Sequence, residues 1–278
     1  MTLKQALQQA RDILQSHNIE NPSLTAEVLL RHILQFNRVQ LYQSIDCELH
    51  PTQANALECL LSRHLDGEPV AYLTGHKEFY GYDFLVDKRA LIPRPETELL
   101  VEKTLELAKN KYTITIADIG TGCGAIAISL ALNLSRAKIY ATDISPLALE
   151  LATLNCLQYR VLDKICLLQG NLLEPIPEPV DIIVANLPYV KESDIANSRS
   201  LGFEPLLALD GGLDGLEKIR HFCAQVINKA KSGSSILLEI GEGQSREVIS
   251  LLRNCFPTGS TIVFKDFREV DRVVTVNI

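Results

Sequence analysis

The sequence predicts an α/β protein: a Rossmann-like sheet of seven strands with an antiparallel last strand, preceded by a small helical bundle and joined to it by a β-hairpin. Three observations carry this expectation. Up to residue 75 the apolar residues recur at helical spacing. Between residues 76 and 95 the period shortens, and aromatic and β-branched residues take over. From residue 114 onward short apolar runs alternate with helical stretches, until two closing strands are separated by a turn too short for a crossover helix. Those two must pair antiparallel to one another. The expected parts are therefore a bundle over 1–75, a hairpin linker over 76–95 and a sheet domain over 96–278.

In the bundle, Thr2 can cap a first helix with Leu3, Ala6, Leu7, Ala10, Ile13 and Leu14 on one face. Asn18–Pro22 breaks it. Ser23 is the expected cap of a second helix, with Glu27 in its first turn; a third covers Val39–Ser44, and Pro51 opens a fourth that Gly67 and Pro69 end. Few residues here suggest chemistry, and the bundle reads either as a packing or dimerisation module or as a substrate-recognition domain. Phe79, Tyr80, Tyr82, Phe84 and Val86, with a turn at Gly81, read as the hairpin. The run Pro93-Arg94-Pro95-Glu96-Thr97-Glu98 then leads into a helix over Leu99–Lys109, its acids suited to a helix N-terminus. Capping does not explain an arginine between two prolines, which leaves Arg94 open to a role in the wall of a site.

The expected strands are Ile114–Ile119, Lys138–Thr142, Ile165–Gln169, Asp181–Ala185, Ser235–Ile240, Thr261–Asp266 and Arg272–Asn277. Helices are expected over Ala125–Leu132, after Ser145-Pro146, over Leu213–Lys231 and over Gln244–Asn254. After the first strand come Gly120, Thr121, Gly122, Cys123 and Gly124, where glycines let the backbone turn through positive φ and let a ligand approach the main chain. A glycine turn between strand and helix is a cofactor cradle, and Gly120-x-Gly122-x-x-Ala125 followed by Asp143 also satisfies a dinucleotide fingerprint. The end of the chain separates the alternatives: a parallel sheet closing on an antiparallel hairpin is the Class I methyltransferase arrangement, which a dinucleotide domain is not expected to share. Asp143, at a strand end, can accept both ribose hydroxyls of an adenosine cofactor; Asn171 can meet the adenine edge and Leu172 pack on its ring.

Directly after the fourth strand stands Asn186-Leu187-Pro188-Tyr189. An amide nitrogen is a poor nucleophile because its lone pair is delocalised into the carbonyl. The side-chain oxygen of Asn186 and the backbone oxygen of Leu187 can each accept one N–H of a substrate NH₂, and Tyr189 can pack against the flat group. Composition bounds the rest. The net charge of −7 argues against broad nucleic-acid binding; no signal peptide or membrane span is apparent, and the seven cysteines lack C-x-x-C spacing, so reduced thiols, a cytoplasmic location and no metal site are expected.

Nearly the whole chain resembles the PrmC/HemK family of peptide chain release factor glutamine methyltransferases. The resemblance rests on the helical region, Glu78-Phe79-Tyr80-Gly81, Leu91–Glu98, Asp118–Gly124, Asn186–Tyr189, Glu204-Pro205 and Ala208–Leu216. It implies methyl transfer from S-adenosylmethionine to the side-chain nitrogen of the glutamine in a release factor's Gly-Gly-Gln motif. It further implies that Gly120–Gly124, Asp143, Leu172 and Asn186 contact the cofactor, that Asn186–Tyr189 hold the glutamine and that the helical domain grips the release factor. Leu187 departs from the family's usual proline; it keeps the carbonyl, and a looser loop is expected. Two other readings stay open: adenine-N6 methylation of nucleic acid, which shares the Asn-x-Pro-Tyr motif, and a catalytically dead scaffold that binds a translation factor.

Overall fold

The computed structural model describes residues 1–109, 111–196 and 201–278, and the chain divides into two units, Met1–Gly75 and His76–Ile278. In the first, α1 (Leu3–Ser16) begins with a capping box in which Thr2 and Gln5 bond each other's backbone N–H. The second helix, α2 (Pro22–Leu34), starts earlier than Ser23 would place it: Asn21 turns left-handed at φ 53° and Pro22 takes the first helical position. Glu27 consequently lies past the first turn, buried, where it accepts from the Tyr42 hydroxyl at 2.9 Å and pairs with Arg38 at 3.1 Å. Then come α3 (Arg38–Gln43), α4 (Pro51–Leu65) and a short α5 (Val70–Thr74), too brief for a period to reveal. Leu3, Ala6, Ala10 and Leu14 of α1 bury against Leu29 and Leu30 of α2 and Leu57 and Leu61 of α4.

The second unit opens with the hairpin β1 (His76–Phe79) and β2 (Tyr82–Leu85), turned at Tyr80 and Gly81, both at positive φ. A 3₁₀ turn over Pro95–Thr97 leads into α6 (Glu98–Ala108). The sheet then builds as β3 (Ile114–Ile119), α7 (Ala125–Asn133), β4 (Ala137–Asp143), α8 (Pro146–Tyr159), β5 (Ile165–Gln169) and β6 (Val180–Ala185). After the short α9 (Glu192–Ala196) and α10 (Leu206–Leu209) come α11 (Glu217–Val226), β7 (Ala230–Glu239), α12 (Ser245–Cys255), β8 (Ser260–Lys265) and β9 (Asp271–Asn277). Strand order is β5-β4-β3-β6-β7-β9-β8, parallel through β7, with β9 antiparallel to both neighbours. The Rossmann-like sheet with its antiparallel closing strand is as expected. The helix expected over Leu213–Lys231 is shorter, because Gly211–Gly215 is committed to a tight loop and β7 begins at Ala230. Among the described residues no helix is long and apolar enough to cross a membrane.

Candidate active site

Strand order reverses where β3 lies between β4 and β6, and a cleft of about 200 Å³ lies at the carboxyl ends of these strands. Gly120 and Gly122, after β3, line it, as do Asp143 at the end of β4, Asn171 and Leu172 after β5, and Asn186, Leu187 and Pro188 after β6. The far wall is Pro205 and Ala208, both within segments that carry the family resemblance, with Leu207, Lys218 and His221, which the sequence did not mark. A wider depression of about 610 Å³ runs along α1, but it is one face of a single helix and gathers no converging polar groups from elsewhere.

The glycine loop is shaped from beneath. Asp118, 0% exposed, accepts the Thr121 hydroxyl at 2.6 Å and the Ala127 N–H at 3.2 Å, and burial pushes its carboxyl up to about 7. Thr121 and Cys123 are buried, and a Cβ on Gly124 would meet Ile128 at 3.1 Å. These three hold the turn and do not line the cleft. Gly120 and Gly122 do, at φ +73° and +58°; a Cβ on Gly120 would come within 3.8 Å of the Asn186 carbonyl and fill the space between the two loops. Asp143 accepts the Gly122 N–H through one oxygen and the Ser145 N–H through the other, both at 2.9 Å, and each oxygen keeps a second lone pair. Its burial raises its pKa despite these bonds. Asn171 donates to Glu174 at 3.1 Å, which leaves its oxygen as an acceptor.

Asn186 is fixed by its nitrogen: Nδ2 donates to Thr97 Oγ1 at 3.0 Å, so Oδ1 is turned the other way. Among the described residues nothing donates to Oδ1 or to the Leu187 carbonyl. Leu187, in place of the family's usual proline, is 3% exposed and packs into the hydrophobic core of the sheet unit. Tyr189 departs from expectation. It is absent from the cleft lining, and its hydroxyl donates to Glu239 at 3.1 Å. A desolvated phenol beside a carboxylate takes that acceptor, and burial with the Glu239 charge drives the Tyr189 pKa upward. The Tyr189 backbone is braced by Gln244, whose amide donates to its carbonyl at 3.2 Å, and by the 211–215 loop.

The R-P-E-T-E run is explained by partners distant in sequence. Arg94 pairs with the buried Glu204, whose other oxygen accepts the Ile92 N–H, and Glu98 accepts the Tyr80 N–H at 2.9 Å at the hairpin turn. Sequence reasoning missed Thr97, Glu239 and Asn155. Asn155, on α8, holds Leu85 by both backbone groups and the Cys123 carbonyl at 2.8 Å. A signal for Glu239 existed: it ends a strand as Asp143 does and as Asp118 nearly does.

Residues 5–75 match the family model of the PrmC N-terminal domain, and residues 95–188 that of ribosomal protein L11 methyltransferase (PrmA). The chain is 41% identical over 277 residues to the release factor glutamine methyltransferase of Moorella thermoacetica, across 98% of this chain and 97% of that one. To the release factor glutamine methyltransferase of Koribacter versatilis it is 38% identical over 282 residues, across 99% and 98%. In fold alone it resembles the T. thermophilus 16S rRNA N2 G1207 methyltransferase solved with AdoMet and guanosine, with TM-score 0.53 and 17% identity over 73% of this chain and 49% of that one. Identity of the order seen with the first two, sustained over nearly the whole of both chains, is what common descent with a shared name looks like: the chain belongs to the family of release factor glutamine methyltransferases.

Proposed function

We propose that the chain transfers a methyl group from S-adenosylmethionine to the side-chain amide nitrogen of the glutamine in the Gly-Gly-Gln motif of peptide chain release factors. The observation that carries this is the pair of free oxygens, Asn186 Oδ1 and the Leu187 carbonyl, beside the glycine loop, with the Asn186 nitrogen tied back to Thr97. Two acceptors on consecutive residues match in number the two N–H groups of a primary carboxamide and would hold its plane. Orienting two reactants in this way contributes up to about 7–11 kcal/mol in favourable cases.

The residues present fit the cofactor. Gly120 leaves open a space that a Cβ would fill, Asp143 has lone pairs left for a ribose diol, and Asn171 and Leu172 offer an acceptor and an apolar face for adenine. When bound, S-adenosylmethionine supplies an electrophilic methyl group. The chain's own part is to position: Asp143 and the glycine loop hold one side of the cleft, Asn186 and Leu187 fix the amide on the other, and buried Leu187 keeps the carbonyl in place. The helical unit Met1–Gly75 is the part we assign to gripping the release factor body. Incubation with labelled S-adenosylmethionine and a release factor should give one methyl on the motif glutamine, located by mass spectrometry. A release factor carrying Gln→Ala there should remain unlabelled, and equal labelling of the two would refute the assignment.

A further inference from the structure

The carboxamide of an asparagine has two ends of nearly equal shape and opposite hydrogen-bonding sense. Only the oxygen end can receive the N–H of a substrate amide; the NH₂ end would present donors to donors. Activity therefore requires that something select the rotamer of Asn186. Thr97, 4% exposed at the end of the 3₁₀ turn, is the candidate: its oxygen accepts from Asn186 Nδ2 at 3.0 Å.

We propose that Thr97 is a positioning residue that keeps Asn186 Oδ1 turned to the cleft. Its oxygen, accepting from Nδ2, holds the nitrogen end of the amide against the 3₁₀ turn and leaves the oxygen end for a substrate N–H. The inference rests on the reading of Asn186 as the substrate acceptor.

Thr97→Val keeps the shape and removes the acceptor. With release factor as substrate its kcat should fall about 10- to 100-fold, the loss expected for one oriented hydrogen bond, while KM and the cofactor Kd stay within about twofold. Thr97→Ser, which restores the hydroxyl, should recover most of kcat. A Thr97→Val rate within twofold of wild type overturns the proposal, as does a Thr97→Ser rate as low as that of Thr97→Val. Should Thr97→Val fail to fold, a wild-type kcat for Thr97→Ala overturns it as well. Asn186→Ala separates the two levels: its full activity removes the underlying reading, whereas its loss beside an intact Thr97→Val removes only the role of Thr97.

Discussion

A glutamate carboxyl has an ordinary value of 4.5, and Glu239, 1% exposed at the end of β7, is pushed up to about 7, chiefly by burial and against the favourable bond from Tyr189. The sign follows from linkage. A pKa raised on folding means that the group's contribution to stability is fully present below the unfolded value and is lost as pH rises through the folded one. Between these two values, 4.5 and about 7, the unfolded chain gives up the carboxyl proton while the native state retains it, and stability falls by on the order of 3 kcal/mol. Glu239→Gln lacks that titration. Its stability relative to wild type in urea should therefore increase by about this amount between pH 4.5 and pH 8. Asp118 shifts in the same direction, so the difference between the two proteins, rather than the wild-type curve, isolates Glu239. A difference that stays flat with pH would mean the carboxyl titrates normally. Asn186→Ala belongs to this scale too. Removing one preorganised hydrogen-bonding group costs roughly 10²–10³ in kcat, and calorimetry should still detect cofactor binding. At this scale the sequence was legible wherever a residue's type alone states its chemistry, as with Asp143 and Asn186. It was silent on Thr97, whose hydroxyl acts on a residue 89 positions away.

At the scale of elements, the glycine loop and the Asn186–Tyr189 turn could be read because each follows an apolar strand and interrupts it with residues a plain turn does not need. The brace behind them could not. In the segment Gly211-Gly212-Leu213-Asp214-Gly215-Leu216, the Tyr189 backbone lies against Gly211 and Gly215, and the Glu217 side chain against Gly212. A Cβ on Gly211 would stand 2.8 Å from Tyr189 Cα, and one on Gly215, at φ +77°, would collide with the Tyr189 carbonyl. A backbone obstacle cannot swing aside as a side chain can. Gly215→Ala should thus destabilise the protein by more than the ~1 kcal/mol typical of alanine at positive φ and should lower kcat by displacing Tyr189. Gly233→Ala, also at positive φ (+82°) but with nothing within 4 Å, is the matched control and should show the conformational cost alone. Equal melting points for the two variants would count against the brace. The hairpin is held by similar logic. Asn155→Ala leaves the buried Cys123 carbonyl and both Leu85 backbone groups without their partner, a loss of about 1–3 kcal/mol per unsatisfied group, measurable by denaturant titration.

Across the whole molecule, the candidate cleft and the helical unit fall on different stretches of chain. The cleft is lined only by residues from Arg89 onward, whereas Leu3 through Leu73 supply a separate hydrophobic core in the helical unit. The sheet unit has a core of its own, from Ala117 to Val276. A unit with its own core can in principle fold alone. A fragment of residues 76–278 should therefore bind S-adenosylmethionine with a Kd within about threefold of the full chain, since no cleft residue is lost. If the helices grip the release factor body, the same fragment should lose kcat/KM on intact release factor by about 100-fold or more, equivalent to ~3 kcal/mol of forfeited contact. On a short peptide containing Gly-Gly-Gln, which offers the helices nothing to hold, the fragment and the full chain should turn over at matching rates. That last comparison is the sharpest. Equal loss on peptide and protein would mean that the helices serve the cleft itself, and undiminished activity on the intact release factor would mean that they grip nothing.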